Sequence, residues 1–183
     1  MRNTILKWCL ILGALAGVPS ALHAAGGQAG MEIESVGVRA GYAGQSETDT
    51  FRQAEAFAIW KLPWRWQLGG AWYLQTRLDV SAGWLRGNDA DAFVATGGIG
   101  LLLDRERFPL ALDLGCSPTV MSRDNFGGRD FGMPLQFTSH AGLAWNLGKH
   151  FSLGYRYQHM SNAHLSSHNP GLNLNMFSAS YRF

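Results

Sequence analysis

From Trp72 to Trp84 the chain alternates in character at every step. Even positions read Trp72, Leu74, Thr76, Leu78, Val80, Ala82 and Trp84, and odd positions read Tyr73, Gln75, Arg77, Asp79, Ser81 and Gly83. A period of two marks a strand whose two faces meet different surroundings. Residues 135–147 repeat it with opposite parity, with Leu135, Phe137, Ala141, Leu143, Trp145 and Leu147 on one face and Gln136, Thr138, His140 and Asn146 on the other. Residues 151–161 and 173–183 do so again. The pattern predicts eight strands, near 32–43, 51–61, 66–85, 92–103, 109–120, 135–147, 150–162 and 171–183. Polar or Gly/Pro-containing connections fall at 44–50, 61–65, 86–91, 104–109, 121–134, 148–149 and 163–170.

The first segment reads as an address. Arg2 and Lys7 precede an apolar run from Trp8 to Val18, Pro19 breaks it, and Ala21-Leu22-His23-Ala24 follows. This order is that of a secretory signal peptide, with cleavage expected after Ala24 and residues 25–183 left as the mature domain. The run is too short to span a membrane as a helix. Cleavage removes Arg2 and Lys7, so the 15 basic residues become 13 against 13 acidic and the formal +2 disappears. It also removes Cys9, so Cys116 is expected to stand alone in the mature chain, without an intramolecular disulfide.

Composition then decides between two kinds of barrel. Charged residues are only 15 % of the chain, against roughly 25 % in ordinary soluble domains, yet 46 % is hydrophobic and 23 residues are glycine. A balanced charge argues against nucleic acid as a partner. The polar faces carry Arg77, Asp79, Asp113, Arg156, Gln158 and Arg182 among glycines, which suits a narrow polar interior closed by ion pairs. The apolar faces end in Trp and Tyr, as in the aromatic girdles of a membrane barrel. The last strand, Phe177-Ser178-Ala179-Ser180-Tyr181-Arg182-Phe183, resembles the C-terminal signal of bacterial outer-membrane proteins. The expected fold is therefore all-β, an eight-stranded antiparallel transmembrane β-barrel of the bacterial outer membrane. A soluble barrel with an apolar interior is the alternative.

In such barrels both termini are periplasmic and the longer loops are outside. The strand from Phe151 then runs outward and ends near Ser161, and the last strand returns to Phe183. By parity, His159 and Ser161 share the lipid-facing side with Phe151, Leu153, Tyr155 and Tyr157, and Asn173 faces lipid on the neighbouring strand. Polar side chains at headgroup level are ordinary in a barrel wall, so spacing alone does not make these residues a site.

The surrounding residues add a resemblance. Tyr155-Arg156-Tyr157-Gln158-His159-Met160-Ser161-Asn162-Ala163, then Asn169-Pro170-Gly171-Leu172-Asn173, then Tyr181-Arg182-Phe183, resemble the PagL-type lipid A deacylases in an H-x-S-N motif, an external loop, an N-x-G turn and a terminal aromatic strand. The resemblance covers mainly the last 30 residues, and the eight-strand layout agrees with the rest. It implies an outer-membrane esterase that removes the 3-linked hydroxyacyl chain of lipid A, with lipopolysaccharide as substrate and no cofactor. Ser161 would be the nucleophile and His159 its general base. The candidate oxyanion donors are the amides around Asn162 and Ala163 or those of the turn from Asn169 to Gly171. Where the family's N-x-G-x-E pattern carries Glu, this chain has Asn173, and no Asp or Glu occurs from Phe131 to Phe183. An amide oxygen can accept from an imidazole N–H and fix its tautomer, but supplies no charge, so a weaker enzyme is expected. The alternatives at this position are an acidic loop residue reaching in, or lost activity.

Other chemistry is weaker. His164 and His168 share the loop after His159 but lack a frame and an acidic partner, so no metal site is expected. Cys116 reads as a small apolar residue beside Leu110, Leu112 and Leu114. Arg77, Asp79 and Asp113 read as interior pairing. Beside the hydrolase stand a non-catalytic small barrel, structural or adhesive, and an outer-membrane acyltransferase. The partners expected are lipid A and outer-membrane lipid, and a homodimer that hides the lipid-facing site is compatible with the sequence.

Overall fold

Two-faced strands of this kind hydrogen-bond edge to edge until no edge remains. In the computed structural model, which describes residues 30–43 and 50–183, they close into a barrel. The signal peptide expected over 1–24, Cys9 and most of the first outer connection lie outside the described residues. The barrel strands are β1 (Glu32–Tyr42), β2 (Arg52–Gly69), β3 (Trp72–Gly87), β4 (Ala90–Arg105), β5 (Leu110–Met121), β8 (Leu135–Leu147), β9 (Phe151–Ser161) and β10 (Leu172–Arg182). Between β5 and β8 lie the two-residue strands β6 (Asn125–Phe126) and β7 (Arg129–Asp130). Every neighbouring barrel pair is antiparallel, and β1 closes on β10 from Tyr42↔Asn175 to Ser35↔Arg182. The expected eight-stranded antiparallel barrel is the fold.

The predicted parity holds over most of the wall. On β9, Phe151, Leu153, Tyr155 and Tyr157 are exposed on the outer face, whereas Ser152, Arg156 and Gln158 are buried inside. Trp84, Val80, Trp145, Leu143, Phe177 and Tyr181 line the same outer surface.

Two strand boundaries differ from the sequence pattern. The stretch 61–65, read as a connection because of Pro63 and its flanking charges, is an irregularity inside β2. The register steps from Lys61↔Arg77 to Arg65↔Gln75, which places two extra residues on β2. Proline offers no N–H to a ladder, and the carbonyls freed here are taken by side chains of β3. Gln75 Nε2 donates to Leu62 O at 2.6 Å and Thr76 Oγ1 donates to Trp64 O at 2.8 Å. The true turn is Gly69-Gly70-Ala71, all three at positive φ. On the outer side, 86–91 shrinks to a tight turn at Asn88-Asp89, with φ of 46° and 60°, the left-handed pair that suits a hairpin.

The interior has two tiers. Through the middle and towards the end that carries the Gly69–Ala71 turn lies the ion-pair network expected of Arg77, Asp79 and Asp113. Arg39 donates through both terminal nitrogens to Asp79 at 2.8 Å each and pairs through Nε with Glu55 at 2.8 Å. Arg156 joins Glu55 at 3.2 Å and Asp79 at 3.3 Å, and Arg77 binds Asp113. Above it the filling is apolar: Phe51, Leu85, Val94, Met121, Met160, Leu172, Leu174 and Met176, with Phe126 and Phe131 from the outer connection. The three phenylalanines meet edge to face, with centroids 5.4–5.9 Å apart. The interior is thus not polar throughout, because the β6–β7 hairpin folds back over the mouth and needs an apolar seat.

Candidate active site

On β10 the polarity of the wall changes sides. From Phe177 to Tyr181 the outward residues are apolar or aromatic and the inward ones are Ser178 and Ser180. Nearer the outer rim, Leu172, Leu174 and Met176 turn inward into the apolar tier, and Asn173 and Asn175 occupy the outer face. Asn175 Oδ1 accepts from the Tyr155 hydroxyl at 2.8 Å. Asn173 sits directly across from His159 in the β9–β10 ladder.

That register brings two of the expected residues together. His159 Nδ1 lies 2.7 Å from Asn173 Oδ1. An amide oxygen only accepts, so Nδ1 donates its proton and the neutral ring keeps its lone pair on Nε2. Among the described residues, the Asn173 amide oxygen is the side-chain partner of His159 Nδ1. The ring is backed by Gly171, where the chain turns into β10 at φ +65°; a methyl group added there would stand 3.1 Å from His159 Cε1 and 3.7 Å from Nε2. Glycine is needed at that point for both its φ and its lack of bulk.

Ser161 is the last residue of β9 and shares the His159 face by parity, opposite Phe137 of β8. Parity alone predicts a lipid-facing hydroxyl at the rim, yet Ser161 is only 4 % exposed, while His159 is half-buried. Next to Ser161 in the chain, Asn162 ties the neighbouring loops together. Its fully buried side chain donates to Phe131 O at 2.9 Å and to His168 O at 2.6 Å, and accepts from His164 N at 2.9 Å.

The four oxyanion candidates separate in the same way. The Asn162 backbone N–H donates to Asn169 Oδ1 at 3.2 Å, so that amide and the Asn162 side chain are already engaged. Asn169 thereby acts as a brace, with its Nδ2 at 3.5 Å from His164 Nδ1. Ala163 follows in a left-handed conformation, φ 54°. Gly171 carries the wall behind His159, and its carbonyl accepts from Arg129 of β7.

Arg129 and the Phe131 carbonyl have no counterpart in the sequence reading, which treats 121–134 as one connection. The Gly127-Gly128 pair between Phe126 and Arg129 is the signal for the hairpin that carries them. Among the described residues no cluster of three or more His, Cys, Asp or Glu could hold a metal ion. His164 and His168 are exposed in the loop.

Comparisons with known proteins converge on one family. A family model described as "Lipid A 3-O-deacylase (PagL)" matches residues 52–182. The chain is 32 % identical over 126 residues to a lipid A deacylase PagL of Bordetella bronchiseptica, an alignment covering 66 % of this chain and 70 % of that protein. The crystal structure of the outer membrane enzyme PagL superposes with a TM-score of 0.70 at 18 % identity, covering 80 % of this chain and 97 % of that one.

Proposed function

Since the chain belongs to the lipid A 3-O-deacylase (PagL) family, we propose that this outer-membrane barrel hydrolyses the ester linking the 3-linked hydroxyacyl chain to lipid A, working in the outer leaflet with Ser161 as nucleophile. The observation that carries this reading is the His159–Asn173 contact on the outer face of the wall, two residues before Ser161 on the same strand.

A serine hydroxyl is a weak nucleophile until a base takes its proton. With Nδ1–H held by Asn173 Oδ1, His159 offers Nε2 as that base. Ser161 Oγ attacks the ester carbonyl and its proton passes to Nε2. The tetrahedral oxyanion then collapses and expels the sugar alkoxide, which takes the proton back from His159. Water, activated by the same nitrogen, next attacks the acyl-Ser161 ester and releases the fatty acid. Because Asn162 N–H is engaged by Asn169, the Ala163 N–H is our first assignment for an oxyanion donor and Asn169 Nδ2 the second. Asn173 orients the ring without adding charge, so the imidazolium formed during attack is stabilised less than beside a carboxylate.

The covalent step is open to direct test. Purified protein in detergent micelles is treated with a fluorophosphonate and its intact mass measured. Wild type gains one phosphonyl group at Ser161, and Ser161→Ala gains none. Equal labelling of both, or none of wild type, contradicts a nucleophilic Ser161.

A further inference from the structure

The β6–β7 hairpin over the barrel mouth is tied to both arms of the candidate site. Its Phe131 carbonyl accepts from Asn162, the residue after Ser161. Its Arg129 guanidinium donates through Nη2 to the carbonyl of Gly171, two residues before Asn173. The second tether bears on chemistry because of what Gly171 touches. Its Cα backs the His159 ring so closely that an added methyl would crowd Cε1. The chain from Gly171 then passes through buried Leu172 to Asn173, the partner of Nδ1. One carbonyl therefore fixes both the surface behind the imidazole and the approach of its hydrogen-bond acceptor.

The guanidinium is itself held. Its central carbon lies 5.6 Å from the centroid of Phe51 and 5.7 Å from that of Phe131, within range for cation–π attraction. Those rings are fully buried and belong to the apolar tier that anchors the hairpin. A planar cation that lies against two rings while donating along its edge is a role for Arg that Lys fills only in part.

We infer that Arg129 is a positioning residue for His159, acting through Gly171 and the entry to β10. It touches no reacting atom. The inference rests on the proposed role of His159, and its test is chosen to separate the two. Without Arg129 the Gly171 carbonyl loses its charged donor, the turn relaxes away from the ring, and the Nδ1–H···Oδ1 contact no longer selects one tautomer.

The full-length protein, labelled with ¹⁵N-histidine in detergent micelles, is studied by long-range ¹⁵N–¹H correlation, with His159 assigned by His159→Gln. Wild type shows a single Nδ1–H tautomer. Arg129→Ala shows a mixture of tautomers, and its kcat on lipid A falls about tenfold or more, as misplaced catalytic groups do, with KM within about twofold. Arg129→Lys restores part of both signals. Heat-dependent mobility on SDS gels reports whether each barrel is folded. If Arg129→Ala does not fold, Arg129→Gln and Arg129→Lys are read in the same way. A folded variant without the Arg129 guanidinium that keeps the wild-type His159 spectrum overturns the inference, whatever its activity. A tautomer shift in a protein whose wild type releases no acyl chain supports the positioning role and overturns the hydrolase reading instead.

Discussion

His159 and Asn173 stand opposite one another on β9 and β10, with Nδ1 and Oδ1 2.7 Å apart. That separation is already short for an N–H···O bond, so the pair has no slack for a longer side chain. Asn173→Ala, which removes the acceptor, is expected to lower kcat about a hundredfold. This is less than the roughly 10⁴ lost when a charged orienting residue of a serine protease is replaced. Asn173→Glu, one methylene longer, is expected to fall below wild type because its carboxylate overshoots the ring. Asn173→Asp, with the same reach, should retain activity. Steady-state rates of the three purified variants on lipid A check this order, and a Glu variant faster than wild type contradicts the fit described here.

Gly171 gives a second expectation. Alanine there must adopt φ +65° and place its methyl 3.1 Å from His159 Cε1. The backbone strain alone is about 1 kcal/mol, too little to unfold a barrel. Gly171→Ala should therefore keep the heat-shifted gel mobility of a folded barrel while losing about tenfold in kcat, since the ring has to move. A fully active alanine variant would mean that the wall behind His159 is not part of the machinery.

A third concerns the interior. Asp79 accepts two bonds from Arg39 and one from Arg156. All three side chains are buried. Removing one partner of a buried network leaves uncompensated charge, worth about 3–5 kcal/mol. Asp79→Ala is expected to lower unfolding stability in urea by that amount, and a double variant that also carries Arg39→Met should recover part of it. Activity per folded molecule should change little, because the network lies below the apolar tier.

The sequence was most legible where two solvents meet one strand. From Trp72 to Trp84 the inside is ionic and the outside is lipid, so period two stands out and the barrel follows. It was least legible at the outer ends. There the β6–β7 hairpin needs an apolar seat, and Leu172, Leu174 and Met176 face inward. The alternation survives but exchanges its sides, and Asn173 looks outward. Pro63 misled in another way, because a proline between charges reads as a turn, whereas β2 continues past it on carbonyl partners supplied by Gln75 and Thr76. His159, Ser161 and Asn173 could be named from motif and parity because they sit on neighbouring strands. The Asn162–Phe131 and Arg129–Gly171 contacts span 31 and 42 residues, and no local pattern encodes them.

Whether this barrel acts on lipid A is read from the lipid itself. Lipid A is extracted from cells expressing wild type, Ser161→Ala or His159→Ala and weighed by mass spectrometry. The wild type should show a species lighter by one hydroxyacyl chain, absent from both variants and from vector control. Lipid A unchanged from control in cells carrying folded wild-type barrel contradicts the hydrolase, and a species heavier by one acyl chain points to a transferase instead.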